Sequence, residues 1–168
     1  MRLISANVNG IRAAHRRGGL EWLAHSEPDI ITVQEVRADD EALSKTLADA
    51  GMSDWVVAHA PSSTAGRSGV AVLSRVEPTD VRVGFGGDDS FVETGRWIEV
   101  DLPGLAIGGS AEPVTVSSAY VHTGEADTPK QDEKMQFLES MTQRMDQLQA
   151  GGRAAVVTGD LNVAHREV

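Results

Sequence analysis

The 168-residue sequence contains no cysteine, and this absence excludes a disulfide framework and thiolate-ligated zinc. Any metal ion must then be bound by oxygen or imidazole ligands, which favours a hard cation such as Mg²⁺. The sequence also lacks an apolar run near the roughly 20 residues of a transmembrane helix, and its N-terminus does not have the pattern of a signal peptide. We therefore expect a cytoplasmic protein without membrane association.

Basic residues are fewer than acidic ones, 15 against 25, which gives a formal charge of −10. This balance argues against a protein that binds nucleic acid through its overall charge. Because salt screens charges more than ~10 Å away, a local basic patch could still receive a phosphate backbone. Ordinary surface charge is an equally good interpretation of the basic cluster. The candidates are Arg12, His15, Arg16 and Arg17 in one cluster, with Arg67 and Arg96 elsewhere.

Hydrophobic patterns of strand and helix type alternate along residues 1–168, as in a single globular α/β domain. Turn residues separate the segments. The predicted strands are 2–8, 30–33, 55–58, 69–73, 81–85, 97–102, 114–121 and 154–158, and the predicted helices cover 20–24, 40–50 and 129–150. We expect the glycine-rich loop over 104–112 to be mobile.

Two of the predicted helices carry boundary signals. Asp40 is expected to cap the helix that ends before Gly51. Thr128, Pro129 and Gln131 have the spacing of an N-cap, a first-turn proline and a capping box. The apolar stripe of this last helix predicts core packing and not a cofactor site; it consists of Phe137, Leu138, Met141, Met145 and Leu148.

Polar side chains follow three of the predicted strands, where each strand ends. Asn7 lies at the end of the first strand, Glu35 follows the second, and Asp160 and Asn162 follow the strand over 154–158. A single acidic residue at a strand end is more often a cap or a turn residue. Ligand sites of open α/β sheets, however, gather beyond strand ends. Two carboxylates and two carboxamides brought together there would suit Mg²⁺, which uses few protein carboxylates.

Asp160, Asn162 and Tyr120 could act on a phosphate. Residues two apart in an extended segment point the same way, so Asp160 and Asn162 could face one pocket. Asp160 could transfer a proton, and Asn162 could donate a hydrogen bond to a phosphate oxygen. Tyr120 could contact phosphate through its phenol, although a tyrosine at the rim of a core is an equally good interpretation. His122 is expected on the same side as Tyr120.

Four segments together resemble the exonuclease III type of apurinic/apyrimidinic endonuclease, within the endonuclease/exonuclease/phosphatase superfamily. They are ISANVNGIR at 4–12, PDIITVQE at 28–35, SGVAVLS at 68–74 and TGDLN at 158–162. The resemblance implies a four-layered α/β sandwich, in which two face-to-face β-sheets are flanked by helices. It also implies a magnesium-dependent hydrolase, with Mn²⁺ as a possible substitute, that acts in DNA repair on double-stranded DNA with abasic sites or 3′ ends.

The resemblance assigns roles to individual residues. Glu35 would be the principal magnesium ligand, with Asn7 beside the metal; Asp160 and Asn162 complete the set of candidate ligands. Tyr120 would contact the scissile phosphate as a catalytic residue, and Asp160 would transfer a proton. Asn162 would position the phosphate. Substrate binding would involve Tyr120 and Asn162, and more weakly Arg96, which matches a region that often faces DNA.

This sequence also departs from the family. Val36-Arg37 replaces a Thr-Lys pair, and the tract from Tyr120 to Gly124 replaces a proline that is frequent after this tyrosine in relatives. The family carries a further aspartate ligand and a Ser-Asp-His segment beyond the position of Val168. The resemblance therefore predicts that the chain is an N-terminal portion that lacks C-terminal elements of the fold and has little or no activity alone. His165 is expected to be a surface residue.

Two alternatives remain at this stage. One is a phosphatase or phosphodiesterase of the same superfamily that acts on inositol phosphates or other small phosphoesters, because fold alone does not decide the substrate. The other is a non-catalytic DNA- or metal-binding remnant. The sequence leaves open the oligomeric state and the balance between exonuclease and abasic-site incision.

Overall fold

A computed structural model describes residues 1–86, 90–104 and 113–163 of the chain. Most of the predicted 104–112 loop, and His165, lie outside this range. The strands are β1 Leu3–Asn7, β2 Ile30–Gln34, β3 Val56–Ala60, β4 Val70–Ser74, β5 Asp80–Val83, β6 Trp97–Leu102, β7 Val114–Tyr120 and β8 Ala155–Asp160. The helices are α1 Ile11–Arg16, α2 Gly19–His25, α3 Asp40–Asp49 and α4 Pro129–Ala150, with a 3₁₀ turn at Val92–Thr94. None of the helices described is long and apolar enough to cross a membrane.

The eight strands form two four-stranded sheets, in the orders β1-β2-β4-β3 and β5-β6-β7-β8. The pairs β1/β2 and β7/β8 are parallel, and the other neighbours are antiparallel. Side chains of the two sheets pack against each other, with Val72 and Val116 in the cluster between them. Helices cover the outer faces. The structure therefore confirms the predicted sandwich of two β-sheets flanked by helices.

Hydrophobic side chains form one cluster outside each sheet as well. Leu20 and Leu43 from the helices pack against Ile31 on the outer face of the first sheet. On the second sheet, Phe137 of α4 packs with Trp97 of β6. Because both faces of β2 and β4 are covered, every residue of these strands is buried. Their continuous apolar runs are the pattern expected of strands covered on both faces.

A layer of polar side chains joins the sheets close to the strand ends. Gln34 Nε2 donates to Ser118 Oγ at 3.0 Å, and the hydroxyls of Thr32 and Thr158 lie 2.8 Å apart. These groups are partly or fully buried and each has a partner, so burial does not carry the cost of an unmade hydrogen bond. Directional bonds across the interface fix the position of one sheet relative to the other. The side chains at the ends of the strands are positioned with them.

Several sequence predictions need correction. The helix α1 was missed because the Asn9-Gly10 turn precedes only six helical residues. Asp39, and not Asp40, caps α3, since its carboxylate accepts from the backbone N–H of Ala42 at 2.8 Å. Strand boundaries moved by one or two residues in β3 and β5.

The prediction for α4 was right in its start and partly wrong in its details. Thr128 is the N-cap residue, but its hydroxyl donates to the carbonyl of Glu125 and makes no capping bond, so the predicted capping box is absent. Phe137 and Met141 are buried as expected. Met145, however, is 43% exposed, so the predicted apolar stripe is not buried along its whole length.

Charged side chains form a network on the outer face of the second sheet. The fully buried carboxylate of Glu99 accepts from Arg144 Nε at 2.8 Å, from Arg82 Nε at 3.2 Å and from Trp97 Nε1 at 2.9 Å. Burial raises the pKa of Glu99, but the bonds from Arg144 and Trp97 outweigh it and the pKa lies below its ordinary value. A carboxylate whose pKa is lower in the folded than in the unfolded chain stabilises the fold at pH values above its pKa in the unfolded chain. That stabilisation is lost as the pH falls through the folded pKa.

We predict that Glu99→Gln lowers the free energy of unfolding by about 1–3 kcal/mol at pH 7, because charge-assisted bonds to two arginines are lost. The difference between parent and variant should shrink as the pH falls below about 4. Thermal unfolding followed by circular dichroism at several pH values measures this difference. Glu139→Gln, at an exposed position of α4, is the control. A difference that does not change with pH would contradict the prediction.

Candidate active site at the strand ends

Parallel pairing brings the predicted site residues to one edge of the sandwich. Asn7, the last residue of β1, is in register with Gln34, and Glu35 follows directly. Tyr120 and Asp160, the last residues of β7 and β8, are in register with each other. The carboxyl ends of parallel strands meet at the same edge of a sheet. Both sheets therefore contribute to one site.

Asn7 links the two sheets at this site. Its amide nitrogen donates to Glu35 Oε1 at 2.8 Å and to Asp160 Oδ2 at 2.7 Å. Its amide oxygen accepts from the backbone N–H of Asn9 at 3.0 Å. Two carboxylates thus converge on one nitrogen, although their residues are far apart in the sequence. Such convergence of acidic groups is common at functional sites.

Glu35 lies in a strained and charged setting. Its backbone has a φ of 54°, a left-handed conformation that is uncommon for residues other than glycine and that recurs at functional sites. Its side chain is 12% exposed and is hydrogen-bonded by the Arg37 guanidinium. Burial raises the pKa of Glu35, but the hydrogen bonds from Asn7 and Arg37 together lower it by more. The pKa therefore lies below its ordinary value. The carboxylate is therefore ionised at neutral pH.

The Tyr120 phenol lies close to Glu35, and both residues line one cavity. Burial is the main cause that raises the pKa of Tyr120, followed by its interaction with the Glu35 carboxylate. The phenol consequently stays protonated and can donate a hydrogen bond. This is the state in which a tyrosine can contact a phosphate oxygen.

The pKa of Tyr120 can be measured directly, since it is the only tyrosine of the 168-residue chain. We predict that Glu35→Gln lowers this pKa towards its ordinary value of about 10, because it removes a neighbouring negative charge. Absorbance of the tyrosinate at 295 nm follows the titration, and circular dichroism verifies that the fold persists. The Glu139→Gln variant should titrate like the parent. Equal pKa values in the parent and Glu35→Gln would contradict the geometry.

Asn162 lies next to these groups in an arrangement that the sequence argument did not anticipate. Strand β8 ends at Asp160, and Asn162 has a φ of 46°. The alternation of an extended strand therefore does not reach it. Its side-chain amide donates to the carbonyl of Val121 at 2.9 Å, and its backbone N–H donates to Asp160 Oδ1 at 3.2 Å. Asn162 thereby holds the turn that follows Asp160.

A cavity of about 510 Å³ opens beside Glu35 and Tyr120. Its lining includes the predicted residues Arg67 and Arg96 and also His122, as expected from its spacing with Tyr120. Sequence reasoning did not single out the remaining charged lining residues, because they lie on a helix and in loops without a motif of their own. These residues are Arg37, Lys130 and Glu133.

The predicted basic cluster is only partly near the site. Arg12 lines a second cavity of about 250 Å³ together with Arg37 and Arg67. Since Arg37 and Arg67 line both cavities, the two are neighbours. His15 instead pairs with Glu21 at 2.8 Å. The positively charged groups nearest the candidate site thus come from separate loops and elements.

The side chains present fit a hard divalent cation. Glu35 and Asp160 supply carboxylate oxygens around one point, and Asn7 adjoins both. Within 1–86, 90–104 and 113–163, no group of three or more histidine, aspartate and glutamate side chains is placed to hold a metal ion. Two carboxylates suit Mg²⁺, which usually keeps several water ligands.

Comparison with known proteins shows the family to which the chain belongs. The profile described as the Endonuclease/Exonuclease/phosphatase family matches residues 4–168. The chain belongs to this family. Among curated relatives, it is 30% identical over 170 residues to the DNA repair nuclease APEX1 of Danio rerio and 32% identical over 169 residues to an exodeoxyribonuclease of Bacillus subtilis. Both alignments cover 100% of this chain, but only 51% and 61% of the respective relatives.

Solved structures show the same fold. An AP endonuclease from Archaeoglobus fulgidus aligns with a TM-score of 0.76 at 28% identity, covering 99% of this chain and 59% of that structure. A Neisseria 3′ phosphatase bound to a product DNA hairpin aligns with a TM-score of 0.75 at 26% identity, covering 99% and 60%. The chain therefore spans about half to three fifths of the length of these proteins.

Proposed function

We propose that this chain contributes to a magnesium-dependent phosphodiesterase that cleaves DNA at abasic sites or 3′ ends, as in base-excision repair in the cytoplasm. The observation that carries the proposal is the junction of Asn7, Glu35 and Asp160, where two carboxylates converge beside the Tyr120 phenol. The curated relatives named as DNA repair nuclease and exodeoxyribonuclease support DNA as the substrate class.

Glu35, with Asp160 and Asn7 beside it, would hold Mg²⁺. The bound ion would neutralise charge on the phosphate and on the leaving oxygen. Tyr120, kept protonated by burial and by the charge of Glu35, would donate a hydrogen bond to a non-bridging phosphate oxygen. Asp160 would transfer a proton, and Asn162 would position the phosphate and fix the turn that carries Asp160. Donors aimed at developing charge are each worth about 2.7–4 kcal/mol in comparable sites.

Arg96 would bind the DNA backbone next to the reacting phosphate. It borders the same cavity as Tyr120, and its carbonyl accepts from the backbone N–H of Tyr120 at 2.8 Å. A phosphate held by Tyr120 would thus lie within the field of this guanidinium. Such backbone contacts position a strand without reading its sequence.

An incision assay tests the proposal. The product of the gene that encodes these residues is incubated with an abasic duplex in Mg²⁺ or in EDTA. The 168-residue chain is assayed in parallel, and the family resemblance predicts little turnover for it. We expect strand cleavage by the gene product that needs the divalent cation. Release of phosphate from inositol polyphosphates without cleavage of DNA would overturn the proposal, and so would a gene product that cleaves neither.

A further inference from the structure

One ion pair occupies the wall of the cavity beside the candidate active site. Arg96 Nη1 donates to Glu133 Oε1 at 2.6 Å. Both side chains line the cavity that also contains Glu35 and Tyr120. Nothing in the proposed chemistry requires Glu133. A carboxylate at this place is unexpected, because a cavity that receives a phosphate backbone is expected to be lined by positive charge.

We propose that Glu133 is an internal competitor for nucleic-acid phosphate at Arg96, and so sets how tightly the protein holds its substrate. This inference rests on the proposed function. Carboxylate and phosphate oxygens bind the guanidinium in the same fork geometry. While the Glu133 carboxylate is hydrogen-bonded to Arg96, it occupies the position that a phosphate oxygen would take. Substrate must then displace it.

The arginine is more enclosed than the glutamate. Gly95, next to Arg96, has a φ of 62°, and a Cβ there would lie 2.7 Å from the backbone nitrogen of Ser62. The turn that presents Arg96 is therefore fixed by close packing. Arg96 is 17% exposed, whereas Glu133 is 45% exposed. The carboxylate side of the pair is thus open to solvent, from which a phosphate can approach and replace it.

The surroundings of the pair favour the exchange. His122 Nε2 lies 4.0 Å from Glu133 Oε2, and the His122 side chain is only 7% exposed. Burial and the charge of Arg96 lower the pKa of His122, so the imidazole is neutral at pH 7 and adds no charge that would hold the glutamate. Lys130 lines the same cavity. A bound phosphate would therefore meet two cations once Glu133 has moved.

Binding measured as a function of salt tests this role. The gene product that contains these residues is titrated, in EDTA, onto a fluorescent duplex with an abasic-site analogue, and affinity is followed by anisotropy. We expect Glu133→Gln to bind about 3- to 10-fold more tightly at low salt, with a log–log salt slope steeper by about 0.9, the value for one phosphate contact. Glu139→Gln removes the same charge from an exposed position of α4 and should stay near the parent.

The Arg96→Gln variant distinguishes the displacement of Glu133 from Arg96 from a general repulsion between the Glu133 charge and DNA. Alone it should weaken binding, and in its presence Glu133→Gln should give no gain, because the two residues act through one contact. Parent-like affinity and slope in Glu133→Gln would overturn the inference. So would a gain that persists in the Arg96→Gln background. If the parent binds no DNA at any salt concentration, the proposed function itself is wrong. That result differs from the two outcomes above, which contradict only the role of Glu133.

Discussion

Replacing Glu35 with glutamine is expected to reduce Mg²⁺-dependent incision of abasic DNA by about 10²- to 10³-fold. Glu35 is one of the two carboxylates that meet at Asn7, it also accepts from Arg37, and it lines one cavity with Tyr120. Glutamine preserves the size of the side chain but removes its charge. The negative charge proposed to bind the cation and the charge that raises the pKa of Tyr120 are lost together.

The measurement is incision by the gene product at several Mg²⁺ concentrations. Because weaker metal binding is part of the expected defect, excess Mg²⁺ should restore some activity to Glu35→Gln. The exposed Glu139 of α4 provides the matched control, since Glu139→Gln is the same chemical change away from the strand ends. The assigned role would be wrong if Glu35→Gln kept more than about a third of the parental rate at every Mg²⁺ concentration. Such a small loss of rate is far below that expected for an essential group.

Replacing Phe137 with alanine is expected to lower the free energy of unfolding by about 3–5 kcal/mol. Phe137 is fully buried between α4 and the second sheet. Its ring lies 5.1 Å from both Phe85 and Phe91, measured between centroids, in edge-to-face arrangements. Alanine would leave a cavity and remove these ring contacts.

Chemical denaturation followed by tryptophan fluorescence measures this loss. Met135→Ala, at a side chain on the same helix that is 55% exposed, should change stability by less than about 0.5 kcal/mol. The destabilised α4 also carries Lys134, whose ammonium donates to the carbonyl of Asn162 at 2.7 Å, so damage to packing would reach the site. Similar stabilities for Phe137→Ala and Met135→Ala would contradict the assignment of Phe137 as the anchor of α4.

The strands and four of the candidate residues could be predicted because their signals are local. Apolar runs such as 30–33 identify a buried strand by periodicity, and polar residues at its end are visible in the same short window. Asn7, Glu35, Tyr120 and Asp160 were found in this way, and the structure places them together. Capping residues were less accurate, since one-residue shifts in a helix end leave the apolar pattern almost unchanged.

Contacts between distant residues were decided only by the tertiary structure. The Arg96–Glu133 pair joins residues 37 positions apart, and the bond from Asn7 to Asp160 spans 153 positions. The positive φ of Asn162 redirects its side chain to Val121 and was invisible to an argument based on strand alternation. Backbone turns and long-range pairing are not encoded in a local window.

The sequence by itself determined the kind of fold, the absence of thiolate chemistry and the identity of the carboxylates available for a metal. Composition and periodicity suffice for the alternation of strands and helices, for the missing thiolates and for the candidate carboxylates, because each depends on residue type and short-range order, whereas the four-layered sandwich was implied by the family resemblance. The tertiary structure alone decided which charges share the cavity. It paired Glu133 with Arg96 and Arg37 with Glu35 through side-chain hydrogen bonds. Sheet pairing and helix packing bring together side chains that no sequence spacing relates.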